Sequence, residues 1–293
     1  MRYAAIDIGS NAVRLLIADI VQNNNTVSFK KNTLIRVPLR LGDDAFLNQF
    51  ISPKKEEDLV KTMRAFKNLI EVYKVDDYMA CATSAMREAQ NGPQIVERVK
   101  KEAELNLEII HGEREANIIY ASHIEDNIDN TKNYLYIDVG GGSTELSLFS
   151  AGKLFASQSF NIGTIRILDN QDREETWEEM KKFIVTNTRK FKNVMGIGTG
   201  GNINKLYKLS DEKDSAPLSY AKLKALYNYL NSYSLKDRIN VLGLNPDRAD
   251  VIIPACTIYL TVMKWADIKQ IYVPTVGMVD GIIQTLIEKN IRL

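Results

Sequence analysis

Three glycine turns in this chain have the residue types to meet an anion. They are Gly9-Ser10-Asn11, Gly140-Gly141-Gly142-Ser143-Thr144 and Gly198-Thr199-Gly200-Gly201-Asn202. Glycines let successive backbone N–H groups converge on one point, and an adjacent hydroxyl adds a donor, which together suit phosphate oxygens. A solitary glycine turn more often serves backbone geometry alone. Here the string Asp138-Val-Gly-Gly-Gly-Ser-Thr-Glu145 repeats the opening Asp7-Ile-Gly9-Ser10-Asn11, and the pairing favours phosphate.

Carboxylates accompany the turns. Asp7 and Asp138 each end an apolar run, where such a group either caps the turn or holds a metal. Glu145 returns a second carboxylate across the glycine turn to the mouth that Asp138 occupies. Hard oxygen ligands beside phosphate donors suit magnesium, or manganese in its place, so Asp138 and Glu145, with Asp7, are the expected metal ligands. Glu115 falls in the first turn of an expected helix, in Glu113-Arg114-Glu115-Ala116, where spacing alone favours a carboxylate that complements the helix dipole. Arg14 and Arg87 could clamp phosphate, although lone arginines are more often solvated. His111 and His123 have no partnered arrangement and are read as structural.

The elements that must position these residues follow from the hydrophobic pattern. Each half opens with an apolar strand, an Asp-x-Gly turn and a second strand, at Val13 to Ile20 in the first half and Leu146 to Phe149 in the second. Internal similarity of this kind points to two copies of one supersecondary unit. Further strands are expected at Val27 to Val37, Tyr78 to Ala82, Leu107 to Ile110, near 154, from Val194 and at Ile271 to Val273. Helices are expected with Leu59, Met63, Phe66, Ile70 and Tyr73 on one face, at Gln94 to Leu105, from Gly112 to about Ile124, and from about 173 to 190. Others run from Pro246 through Met263 and from Gly277 to Glu288. Strands alternating with helices give an α/β class with two domains, 1–126 and 127–293. The boundary falls in the polar stretch Glu125 to Lys132, and the closing helix is able to pack back on the first domain.

Composition excludes several classes. In 293 residues, 45% hydrophobic and 26% charged, disorder and fibrous architectures drop out. A net charge of +1 is too small for a nucleic-acid coat, so an anionic ligand must be met by local arrangement. No apolar run is long enough for a membrane span and no signal segment opens the chain, so no nucleic-acid or membrane partner is expected and the location is taken as cytoplasmic. Cys81 and Cys256 lie outside any metal or disulfide spacing and read as core residues.

Together, Asp7-x-Gly-Ser-Asn11-x-x-Arg14, Ala82-Thr-Ser-Ala-Met-Arg87, Gly112-x-x-Glu115-Ala116, Asp138-x-Gly-Gly-Gly-Ser-Thr-Glu145 and Leu242-Gly-Leu-Asn-Pro-Asp-Arg248-Ala-Asp250 resemble the exopolyphosphatase and guanosine pentaphosphate phosphatase (Ppx/GppA) family in order and approximate spacing. The resemblance covers essentially the whole chain. It implies the two-lobed actin-like fold of the acetate and sugar kinase, heat-shock chaperone and actin superfamily, with duplicated ribonuclease-H-like domains and an active site in the interlobe cleft. It also implies Glu115 as the base that activates water, Arg87 as a catalytic phosphate contact, and magnesium at Asp138 and Glu145. Phosphate would be bound by Gly9, Ser10, Asn11, Arg14, Gly140, Gly141, Gly142, Ser143, Thr144, Gly198, Thr199, Gly200 and Gly201. The implied activity is release of terminal phosphate from polyphosphate or guanosine pentaphosphate. Short polymers are favoured, because the chain lacks the helical domains that longer members append, and a homodimer could lengthen the groove.

Three positions depart from the family pattern: Arg114 beside the expected base, Asn202 where threonine is usual, and Gly277-Met-Val-Asp-Gly281 in place of a Gly-Leu-Arg-Glu-Gly string. Two other readings stay open. One is a small-molecule kinase of the same superfold, and the other a noncatalytic sensor of guanosine tetraphosphate or pentaphosphate.

Overall fold

The computed structural model describes residues 1–23, 26–120, 129, 131–213 and 215–291. The chain divides into two compact units, Met1–His123 with Val276–Leu293, and Ile124–Thr275. Residues 276–293 therefore join the first unit rather than the second. Most of the expected polar linker, and the last turn of the helix expected to reach Ile124, lie outside the described residues.

The first unit contains β1 (Arg2–Ile8), β2 (Val13–Asn23), β3 (Thr26–Val37), α1 (Leu41–Asn48), α2 (Pro53–Val72), β4 (Asp77–Ala82), α3 (Ser84–Glu88), α4 (Gly92–Ala103), β5 (Glu108–Ile109) and α5 (Gly112–Tyr120). The second contains β6 (Asn133–Val139), β7 (Thr144–Ser150), β8 (Lys153–Phe160), α6 (Thr164–Leu168), α7 (Glu174–Thr188), β9 (Val194–Thr199), α8 (Gly201–Leu209), β10 (Leu218–Ser219), α9 (Tyr220–Asn231), α10 (Leu235–Asn240), α11 (Pro246–Ala249), α12 (Ile252–Trp265) and β11 (Gln270–Tyr272). The closing helix α13 (Met278–Asn290) returns to the first unit, where it packs on β1 and α5.

The sheets run β3-β2-β1-β4-β5 and β10-β11-β9-β6-β7-β8. In each, an antiparallel meander of three strands is followed by a parallel strand that pairs with the first, β4 with β1 and β9 with β6. The same order twice is the duplicated ribonuclease-H-like arrangement of the actin-like fold. Parallel central strands must be covered on both faces, which explains why β1 is buried almost throughout, from Tyr3 to Ile8. On α2, Leu59, Met63, Phe66 and Ile70 form the buried stripe, and Pro53 takes the first helical position, where its missing N–H costs nothing. The core of the second unit is built around Leu135, Ile137, Leu146, Leu148, Ile203, Tyr259 and Ile271.

The helix expected to run unbroken from Pro246 is two helices, because α11 stops at Ala249 and α12 starts at Ile252. Cys81 and Cys256 are free and buried, and burial pushes both thiols up to about 12, which keeps them as unreactive core groups. Among the described residues no helix is long and apolar enough to cross a membrane.

Candidate functional site

In the second unit the candidate residues lie at the carboxyl ends of β6 and β9. Register fixes their faces: Ser159, Glu145, Asp138 and Thr199 are successive partners across β8, β7, β6 and β9, so they form one polar row on one face of the sheet. Hydroxyls aim the acids. Ser159 donates to Glu145 Oε1 at 2.8 Å, and Thr199 Oγ1 donates to Asp138 Oδ1 at 2.9 Å. Like charges directly opposed on paired strands repel by roughly 0.2–1 kcal/mol, so this pair is better tolerated beside a cation.

The donor set fits a hard dication. It offers two carboxylates and hydroxyls without histidine or thiol, and magnesium commonly takes one or two carboxylates and fills the rest with water and phosphate oxygens. Among the described residues no three acidic, histidine or cysteine side chains gather into a protein-only cage. From α12, buried Tyr259 donates to the carbonyl of Thr199 at 2.7 Å and ties down the end of β9. Burial, together with the nearby Asp138 charge, holds the phenol well above its ordinary value, so it remains a donor.

The turn between β6 and β7 is anion-ready. Gly140 N–H donates to Ser143 O within the turn, while no hydrogen bond among the described residues engages the N–H of Gly141, Gly142 or Ser143. Thr144 leaves the expected phosphate set as a hydroxyl donor, because its Oγ1 donates to Ile162 O at 2.6 Å in the core. Gly198 leaves it too. It is a ladder residue opposite Ile137, and a Cβ there would press on Ile271 Cδ1 at 2.8 Å and Ile203 Cγ1 at 3.0 Å, so this glycine answers a packing need. The turn proper is Gly200 and Gly201. Gly200 takes φ 99°, a conformation open to glycine, and a Cβ on it would stand 2.9 Å from Asp138 Oδ1. The Arg248 guanidinium lies against Gly201, since a Cβ there would be 2.8 Å from both its terminal nitrogens.

The first unit carries the other candidates with inverted charge. Asp7 pairs in register with Arg14, the position that Glu145 holds in the second copy, and Arg14 Nη1 donates to Asp7 Oδ2 at 2.6 Å. Asp7, expected as a metal ligand, is thus closed by an ion pair and has no partner carboxylate of the Glu145 kind. Burial pushes its carboxyl above the usual range, and the Arg14 charge and hydrogen bond pull it back.

Removing the cation from that pair should be costly. Arg14→Met is expected to destabilise the protein by roughly 3 kcal/mol near neutral pH, because a buried charge is left unpaired. With the folded-state pKa raised above the unfolded value, the native state holds its proton longer. Stability is therefore lost as pH rises from the unfolded value near 4 through the folded one. Urea denaturation of Arg14→Met at pH 5 and pH 8 should show the larger deficit at pH 8.

The first turn is pinned from behind: Arg40 N–H donates to Asn11 O at 3.0 Å, Gly42 N–H to Ser10 O at 2.9 Å, and the Ser10 and Ser84 hydroxyls share a hydrogen bond of 2.8 Å. From Ser84, α3 leads to Arg87, whose Nη1 donates to Ile110 O at 2.7 Å and lies 3.9 Å from Glu115 Oε2. Glu115 is 8% exposed at the start of α5, too buried for a mere surface complement to the helix dipole. The departures resolve locally. Arg114 is exposed and paired with Glu108, and Asn202 Oδ1 faces Arg248 at 3.5 Å. Asp280 caps α13 by accepting from Gly277 N–H at 2.9 Å and is paired with Lys31 at 2.6 Å.

Sequence reasoning missed the segment after β8. Gly163, Thr164 and Arg166 lie against the Gly140–Gly142 turn, and the readable signal was an arginine inside the apolar run Ile162, Ile165, Ile167.

Comparison with known proteins identifies the family and the fold. The model of the Ppx/GppA phosphatase family matches residues 17–290. A bifunctional 3-dehydroquinate synthase/phosphatase of Fusobacterium nucleatum is 27% identical over 89% of this chain, which spans 43% of that relative's length. A putative exopolyphosphatase of Haemophilus influenzae is 25% identical, covering 99% of this chain and 92% of its own. Among solved structures, the Ppx/GppA family member of Aquifex aeolicus superposes with a TM-score of 0.77 at 25% identity, over 100% of this chain and 99% of the other. An exopolyphosphatase from Cytophaga hutchinsonii has the same fold, with a TM-score of 0.85 at 24% identity over 99% of this chain and 98% of its own. The chain belongs to the Ppx/GppA phosphatase family, and by that membership it is a hydrolase.

Proposed function

We propose that the protein releases terminal phosphate from guanosine pentaphosphate or short polyphosphate by magnesium-assisted attack of a water activated by Glu115. The observation that carries this reading is the Ser159-Glu145-Asp138-Thr199 row beside the open N–H groups of Gly141, Gly142 and Ser143, a dication's ligands next to an anion's donors. Curated relatives are consistent with either substrate, as a putative exopolyphosphatase in Haemophilus influenzae and a guanosine-5'-triphosphate,3'-diphosphate pyrophosphatase in Aeromonas salmonicida.

Phosphoryl transfer to water requires little covalent work from the protein, so positioning and charge neutralisation carry the catalysis. Glu115 accepts the proton of the attacking water, and Arg87, tethered by the Ile110 carbonyl, supplies a fixed positive charge beside it. The Gly140–Ser143 turn receives the phosphate oxygens through its N–H groups. Asp138 and Glu145 would hold magnesium, which supplies neutralisation of charge on the departing and transferred phosphate oxygens. Arg14 remains bound to Asp7 and offers its outer face, 30% exposed, to an anion.

The test is inorganic phosphate release from guanosine pentaphosphate and from tripolyphosphate, with magnesium or with excess chelator. Release should fall at least about tenfold in chelator and return when magnesium is restored. Saturable binding of either compound without release would overturn the proposed substrates and mechanism.

A further inference from the structure

We propose that Gly163–Arg166 is a brace that sets the anion-binding conformation of the Gly140–Ser143 turn, with Arg166 as its positioning residue. The proposal rests on the phosphate-releasing reading of that turn and adds what holds the turn in shape.

Three consecutive glycines lose more backbone freedom on ordering than any other run of three residues, so something outside the turn must orient their peptide planes. The segment after β8 does so. Thr164 N–H donates to Gly140 O at 3.0 Å, Ile165 N–H to Gly141 O at 2.8 Å, and Arg166 Nε to Gly142 O at 2.6 Å. All three carbonyls of the glycine run are therefore drawn to one side. A trans peptide is planar and its N–H points opposite to its C=O, so pinning these carbonyls aims the N–H groups of Gly141, Gly142 and Ser143 the other way. Those are the three that no hydrogen bond within the described chain engages.

Two features show how closely the brace is fitted. A Cβ on Gly163 would stand 2.6 Å from the carbonyl carbon of Gly142, so only glycine lets the two backbones meet. Arg166 is 7% exposed, flanked by Ile165 and Ile167. Burying a cation is costly unless it is hydrogen-bonded, and a methionine would fill the same space without that cost. What the guanidinium adds is a charge-assisted donor to the Gly142 carbonyl, stronger than a neutral one.

The test uses the full chain with inorganic pyrophosphate as probe. Binding, the unfolding midpoint and amide hydrogen exchange at residues 141–143 are measured for the wild type, Arg166→Met, Arg166→Lys and Thr164→Pro. Loss of the charged donor in Arg166→Met should weaken pyrophosphate binding at least about tenfold and speed exchange at the three amides, with KM for the hydrolysed substrate rising more than kcat falls. Arg166→Lys, which keeps a cationic donor, should retain affinity within about threefold. Thr164→Pro removes the donor to Gly140 O at a first helical position where proline is tolerated, leaves the buried cation untouched, and should also weaken binding.

The brace is overturned if Arg166→Met and Thr164→Pro bind pyrophosphate and protect their turn amides as the wild type does, or if the wild type does not bind pyrophosphate. If Arg166→Met does not fold, Thr164→Pro and Arg166→Lys decide the matter. A wild type that binds pyrophosphate but releases no phosphate from guanosine pentaphosphate or tripolyphosphate would refute the proposed substrates alone, and the brace would be judged on binding and exchange.

Discussion

Glu115→Gln should lower the rate of phosphate release by about 10²–10⁴-fold while leaving substrate affinity within a few-fold, as expected when a general base loses its ability to take a proton. The substitution keeps shape and volume, so the fold has no packing reason to fail. Glu115 lies in the first turn of α5 with its N–H donating to the carbonyl of His111, and that backbone bond is indifferent to the side chain. What changes is charge: the carboxylate 3.9 Å from Arg87 becomes a neutral amide, and the arginine stays tethered to Ile110. Single-turnover phosphate release, with binding measured separately, checks the claim. Unchanged release would keep the activity and remove Glu115 as its base, whereas loss of binding together with rate would make Glu115 a substrate contact.

Gly281→Ala should destabilise the protein by roughly 4 kcal/mol, above the usual range for overpacking. Gly281 lies on α13 against the backbone of α5. A Cβ there would fall on the carbonyl of Ile118, with that residue's Cγ2 a further 3.0 Å neighbour. A flexible side chain could move aside at small cost, but a main-chain carbonyl in a helix moves only with the helix. That helix also carries Glu115 one turn earlier, so the variant should lose phosphate release beyond what its unfolded fraction explains. Gly277 provides the control, because nothing lies within 4 Å of a Cβ built there and its φ of −164° is ordinary extended backbone. Gly277→Ala, at the N-cap of α13, should cost no more than about 1 kcal/mol. Urea midpoints for the pair measure the difference, and equal midpoints would refute the predicted cost of a Cβ between α13 and α5.

The paired Asp-x-Gly turns at Asp7 and Asp138 were legible in the sequence because strand alternation and glycine chemistry are local. A hairpin is specified by its own residues, so the duplication, the α/β class and the approximate span of most elements could be read directly. Glu145 could be paired with Asp138 for the same reason: two strands joined by a tight turn bring their flanking residues into register.

Tertiary structure decided what depends on partners distant in sequence. Asp7 looked equivalent to Asp138, yet one is closed by Arg14 and the other stands in a row with Glu145, and the difference lies in the single residue that each partner strand places opposite. Gly198 has the residue type of a phosphate turn, but Ile271 and Ile203 fill the space beside it. The hydroxyl of Thr144 was committed to Ile162, and the carbonyls of Gly140 to Gly142 to a segment about twenty residues further along. The sequence by itself thus determined which residues have the donor and ligand chemistry suited to phosphate and metal, since that follows from side-chain type and local spacing. Which of their atoms remain available, and which are consumed by packing, only the tertiary structure decided, because a hydrogen-bond donor has one proton to give and its partner is chosen by the fold.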